Sequence, residues 1–157
     1  MTKRIPFDSP LWSPATSDME DPLPFLKSIQ GSDPTVDQIY DVLDVLYETD
    51  DPSDQFFYAI PYILDVFEKD VEAMLGPLKA FCRQVRGLDH LPEENEKRKQ
   101  LDYCKNRILT IICGALPYAK QGPDGYDHVA VLLSGIANLL GHTHLAHQVS
   151  ELRSEVD

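Results

Sequence analysis

Between Asp33 and Phe67 the chain reads DPTVDQIYDVLDVLYETDDPSDQFFYAIPYILDVF, and two kinds of residue in it follow a helical period on different faces. Val36, Ile39, Leu43 and Leu46 recur at three- and four-residue steps, while Asp37, Asp41, Asp44 and Glu48 recur at the same steps on another face. One face requires a core, and the other requires water or a cation. Asp33 is placed to be an N-cap with Pro34 as first helical residue, and the run from Glu48 to Asp54 ends the helix in a turn-rich loop. A second apolar run, Phe56 to Phe67, folds back after it. Two helices joined by a short polar loop form an antiparallel pair that cannot bury both apolar faces alone. The pair needs neighbours, and the expected fold is all-α: about six or seven helices in antiparallel hairpins, as a short solenoid or an irregular bundle.

A chain of 157 residues, 43% of them hydrophobic, is long enough for one domain with a sizeable core. The expected division is an extended arm over residues 1–20 and a single helical domain over 21–157. The arm carries Pro6, Pro10 and Pro14 among Phe7, Leu11 and Trp12, too broken for a helix and too apolar for a free tail. No apolar run reaches membrane-spanning length, and the start MTKRIPFDSPLWSP lacks the apolar core of a secretory signal, so a soluble, cytoplasmic protein is expected. Cys82, Cys104 and Cys113 are odd in number and sit on apolar helix faces, which predicts buried thiols in a reducing compartment and does not argue for a disulfide or a zinc site.

The net charge of −12 is unevenly placed. Met1 to Gly76 holds 16 acids against 4 bases, which is the whole −12, and Pro77 onward holds 10 against 10. Nucleic acid is disfavoured as a ligand because the first half repels phosphates; a basic protein partner is the positive reading.

Further helices are expected from about Pro22 to Gln30, along the stripe Val71 to Val85 with a bend or interruption near its start at Gly76-Pro77, and from Pro92 to an end or kink at Gly114 and Pro117. The section EENEKRKQ of the last is a solvated mixed-charge face. After the turn at 121–125, Val129 to Leu140 is the most apolar helix; Gly141 stops it, and a closing amphipathic helix is expected from His144 to about Glu155 with Thr143 as its N-cap. Leu23-Pro24-Phe25-Leu26, Ile60-Pro61-Tyr62-Ile63 and Leu116-Pro117-Tyr118-Ala119 share a pattern that reads as an internal repeat with prolines in helical first turns.

The combination of Trp12, Asp21-Pro22 with Leu23 and Leu26, and Ala59-Ile60-Pro61-Tyr62-Ile63-Leu64 after a polar loop resembles the small bacterial HEAT-like helical-repeat proteins of toxin-immunity type, over about residues 12–67. That resemblance implies a stack of helical hairpins acting as a binding protein with no chemistry of its own. Beyond Val71 the helix lengths depart from the pattern.

No phosphate loop, His-Glu-x-x-His or Gly-x-Ser-x-Gly motif is present, and no nucleophile is paired with a base, so no catalytic residue and no cofactor are assigned. His142, His144 and His147 place two imidazoles one helical turn apart, which keeps a metal-dependent helical enzyme as one alternative; no carboxylate at helical spacing completes the set unless Glu151 does. The preferred site is the acidic stripe of Asp37, Asp41, Asp44 and Glu48, extended by Asp50, Asp51 and Asp54, with Tyr40 and Tyr47 as aromatic anchors and Tyr58 nearby. Like charges at these steps weaken their own helix by a few tenths of a kcal/mol per pair, a cost that a basic partner relieves. The expected function is to bind and neutralise a cationic toxin, for example a nuclease, by occlusion; the other alternative is a helical scaffold or adaptor without a dedicated toxin partner.

Overall fold

The computed structural model of the chain describes residues 4–13, 20–31, 33–47, 54–86, 95–121 and 124–152, except the side chains of residues 86, 150 and 152. These contain seven α-helices and no strand: α1 (Leu23–Ser28), α2 (Val36–Leu46), α3 (Asp54–Lys69), α4 (Leu75–Arg86), α5 (Glu96–Ala119), α6 (Gly125–Leu139) and α7 (Thr143–Leu152). A 3-10 turn, Pro10–Trp12, precedes them. The principal packing partners of each helix lie one or two places away along the chain: α2 meets α1, α3 and α4; α3 meets α5; α4 meets α5 and α6; α6 meets α5 and α7. The consecutive pairs α2/α3, α4/α5 and α6/α7 are thus laid side by side, with α2, α4 and α6 as successive neighbours and α3 against α5. The result is a packed all-α bundle with local connectivity.

The centre of this bundle is α3. Eleven of its 16 residues are buried, from Gln55 and Phe56 to Val66 and Phe67, because other parts of the chain cover more than one of its faces. One flank carries residues 4–13: Phe7 stacks on Tyr62 at 4.6 Å between ring centroids, the Tyr62 hydroxyl donates to the Ile5 carbonyl at 2.5 Å, and Gln55 Nε2 donates to the Ser13 carbonyl at 3.0 Å. Trp12 is fully buried there, its Nε1 donating to the Pro6 carbonyl at 2.9 Å. Toward α4, Phe56 and Phe67 both meet Phe81, at 6.0 and 5.8 Å between centroids.

Several element boundaries differ from those the sequence predicts. Thr35, not Asp33, caps α2, in a reciprocal capping box: Thr35 Oγ1 accepts from the Gln38 N–H at 3.2 Å and Gln38 Oε1 accepts from the Thr35 N–H at 2.8 Å. Two otherwise orphaned donors are satisfied this way, where an Asp-Pro start satisfies one. Helix α1 is shorter than expected, and α5 starts at Glu96 rather than Pro92, its cap being Asn95 Oδ1 on the Lys97 N–H at 2.9 Å. It runs on through Gly114 and Pro117 to Ala119. The stripe from Val71 is interrupted near its start, residues 71–74 forming a turn before α4 begins at Leu75, and Gly76-Pro77 sits in the first turn of α4, where a missing N–H costs nothing. A Cβ on Gly76 would lie 2.7 Å from the Tyr40 hydroxyl, so glycine is what lets α4 approach α2. The proline repeat has no structural counterpart: Pro24 lies in the first turn of α1, Pro61 in the middle of α3 and Pro117 near the end of α5.

Gly141 ends α6 at φ +81°, with the Gly141 N–H on the Asn138 carbonyl at 2.9 Å and the His142 N–H on the Ala137 carbonyl at 2.8 Å. This is a Schellman cap, and it turns the chain into α7. The buried Ser134 hydroxyl then joins α6 to α7 by donating to the Ala146 carbonyl at 3.0 Å. Cys82 and Cys104 are buried free thiols, whereas Cys113 is exposed. It lies nine residues beyond Cys104, half a turn round the same helix, which corrects the expectation of three buried thiols.

Candidate functional site

The acidic face of α2 follows from its periodicity. Ile39, Val42, Leu43 and Leu46 are buried, and this rotates Asp37, Asp41 and Asp44 outward, where all three are exposed. No ion pair links any of them to another described residue. Asp37 in the first turn is favoured by the helix dipole, but Asp44 stands in the last turn, which holds no basic residue to offset it. The carboxylates at positions 37, 41 and 44 therefore repel one another at three- and four-residue steps, with water as their only screen.

Six of the described cations pair with other acids. Arg107 grips Glu68 with both Nε and Nη2, each 2.9 Å from an oxygen, and its Nη2 also donates to Asp65 at 2.9 Å. The hydrogen bond to Glu68 first, and then that to Asp65, hold the guanidinium proton more tightly than usual against the opposing cost of burial. Arg4 reaches the same Asp65 at 2.8 Å and lies over the Tyr62 ring, so one cluster fastens the N-terminal segment, α3 and α5 together. Lys79 pairs with Asp127 at 2.8 Å, and Lys99 and Arg98 pair with Glu96 and Asp102 within α5.

Asp54 belongs to this second group. Its Oδ1 lies 2.6 Å from Lys97 Nζ with the carboxylate still 61% exposed, and it opens α3 rather than lying in the loop as expected. Glu48, Asp50 and Asp51 lie outside the described residues. The tyrosines are only half available: Tyr40 is half-buried with its hydroxyl over Gly76, and Tyr47 is half-buried with its ring edge-on to Phe56 at 6.1 Å. Tyr58, also half-buried, meets Trp12 edge-on at 6.1 Å. The site residues brought together on one open surface are Asp37, Asp41 and Asp44, bordered by Tyr40.

Sequence reasoning missed a cleft of about 510 Å³ between Ile5, the start of α3 (Asp54, Phe57, Tyr58) and the start of α5 (Asn95, Glu96, Lys97, Gln100). Lys97 Nζ stands 5.8 Å above the Phe57 ring at its edge, and Gln100, only 4% exposed, has an Nε2 without a hydrogen-bond partner. The face EENEKRKQ is thus not wholly solvated. Gln100 sits four residues before Cys104 and eight before Ile108, on the buried stripe of α5, and that spacing was the signal available.

His142, His144 and His147 are all exposed, and His147 Nε2 lies 3.2 Å from Glu151 Oε1. No group of three His, Cys, Asp or Glu side chains converges as a metal site among the described residues. Likewise, no helix among them is long and apolar enough to cross a membrane. Comparison of the chain with protein-family models, curated proteins and solved structures finds no match.

Proposed function

We propose that the protein binds a basic partner protein through the outer face of α2 and neutralises it by occlusion, a cationic toxin such as a nuclease being the partner class this chemistry fits. The observation that carries the reading is the distribution of counter-ions. Asp54, Asp65, Glu68, Glu96, Asp102 and Asp127 each have a Lys or Arg of the same chain, while Asp37, Asp41 and Asp44 have none among the described residues; isolated acids such as Asp8 and Glu72 share that lack, but these three stand together on one exposed helix face. Three exposed carboxylates along about 10 Å of helix make a negative patch, which is complementary in charge to a basic, phosphate-binding surface. Association would be steered by charge, and the half-buried Tyr40 would supply a rigid edge beside the carboxylates.

The test is a pull-down with tagged protein at low and high salt, followed by calorimetric titration of any basic protein retained, comparing wild type with Asp37→Asn/Asp41→Asn/Asp44→Asn. The variant should lose at least about tenfold in affinity at low salt, and wild-type binding should weaken as salt rises. A basic partner bound equally by both proteins would sink the proposal, as would no partner at either salt.

A further inference from the structure

We infer that the solvent-facing side of α6 is a self-association surface, on which α6 of a second copy of this chain packs. Tyr126, Leu133 and Leu140 are 54%, 41% and 50% exposed and stand at successive seven-residue steps, with the half-buried Val129 and Ile136 between them. The other faces of α6 are buried against α4, α5 and α7. Its open side is therefore one apolar line without a charged residue; the polar Asp127, His128, Ser134 and Asn138 of the same helix stand on its buried and half-buried faces. An apolar stripe on a helix ordinarily faces a core or a partner. The alternating three- and four-residue steps are those of a two-helix seam, so the shape that fits is another helix with the same spacing.

Charge and symmetry select the occupant. Two chains of −12 repel wherever acids face each other, and this line brings none. A two-fold axis at Leu133 sets Leu133 against its copy and Tyr126 against Leu140 of the partner subunit, because 126 and 140 lie equally far from 133; the line is its own complement. At roughly 200 Å² for a fully exposed large side chain, the five residues offer about 400 Å² per copy. With a polar rim the pair comes close to the roughly 1,000 Å² at which specific association begins, so the dimer is a weak one. The α2 carboxylates are not part of this surface.

Sedimentation from low micromolar to near-millimolar protein tests the inference. Wild type should pass from monomer to dimer mass, more readily at high salt, where repulsion is screened. Leu133→Glu should remain monomeric with an unchanged helical spectrum, a loss of at least about 100-fold in association, because it sets two carboxylates face to face. Leu133→Cys in a Cys113→Ser background should form an intermolecular disulfide on mild oxidation, and this holds the test open should the Glu variant fold poorly. Monomeric wild type at every concentration, which leaves the face to a different protein, or a dimer untouched by Leu133→Glu, or absence of the cross-link, would each overturn it. Asp37→Asn/Asp41→Asn/Asp44→Asn should dimerise as wild type does, and the salt dependence runs opposite to that of basic-partner binding, so the two readings fail separately.

Discussion

Replacing Trp12 by alanine should destabilise the whole protein rather than merely release residues 4–13. Trp12 is fully buried, its ring lies within 6.2 Å of the Phe7, Tyr58 and Tyr62 rings, and its Nε1 donates to the Pro6 carbonyl. Removing about 200 Å² of buried indole at 25 cal/mol per Å² costs about 5 kcal/mol before relaxation. Since residues 4–13 lie at the edge of the bundle and water can enter the space left, the low end of the measured range for such truncations, about 3 kcal/mol, is the expectation. That is a large part of the stability of a typical domain, and for a chain of this length it lowers the melting temperature by about 6–12 °C. The assay is urea and thermal unfolding by far-ultraviolet circular dichroism. Trp12 is the only tryptophan, so fluorescence of the wild type reports this corner alone. The two wild-type transitions should coincide, because Tyr62, Gln55 and Asp65 of α3 bind residues 4–13 directly. A fluorescence transition that precedes the loss of helix, or a Trp12→Ala variant that melts with wild type, would refute the reasoning.

Two other outcomes follow from particular residues. Burial pushes the Cys82 thiol up to about 12 from an ordinary value of 9.0. Above pH 9 the unfolded chain releases a proton that the folded chain keeps, so this contribution to stability is complete below pH 9 and is lost as pH rises toward 12. The stability difference between wild type and Cys82→Ala in urea should therefore narrow by about 2–3 kcal/mol from pH 8 to pH 11, and a constant difference would contradict the burial argument. Over the same range below pH 9, iodoacetamide should label the exposed Cys113 alone until the protein unfolds. Gly141→Ala forces a side chain into φ +81° and should cost about 1–2 kcal/mol in urea unfolding, with the loss confined to the α6–α7 turn in hydrogen exchange; an unchanged midpoint would show that the Schellman cap does not hold this junction.

The helices, their buried faces and the outward turn of Asp37, Asp41 and Asp44 were legible in the chain because they depend on residues three and four apart. The Gly141 stop was legible for the same local reason, whereas α7 begins at Thr143 itself, the residue expected to cap it. Competition between nearby signals was harder: Asp33 and Thr35 both suit an N-cap, and the reciprocal bond with Gln38 decides it. Three proline tetrads looked alike, yet their places at the start, middle and end of helices depend on what surrounds each one. Which carboxylates are neutralised from another helix could not be read at all, unlike the Glu96–Lys99 and Arg98–Asp102 pairs within α5. Asp54 meets Lys97 and Glu68 meets Arg107 across gaps of 43 and 39 residues, and a lysine or arginine has no periodicity that names its partner. Local spacing determines which way a side chain points from its own helix; only the packing of α3 against α5 determines what stands opposite, and so that Asp54, Asp65 and Glu68 find their cations.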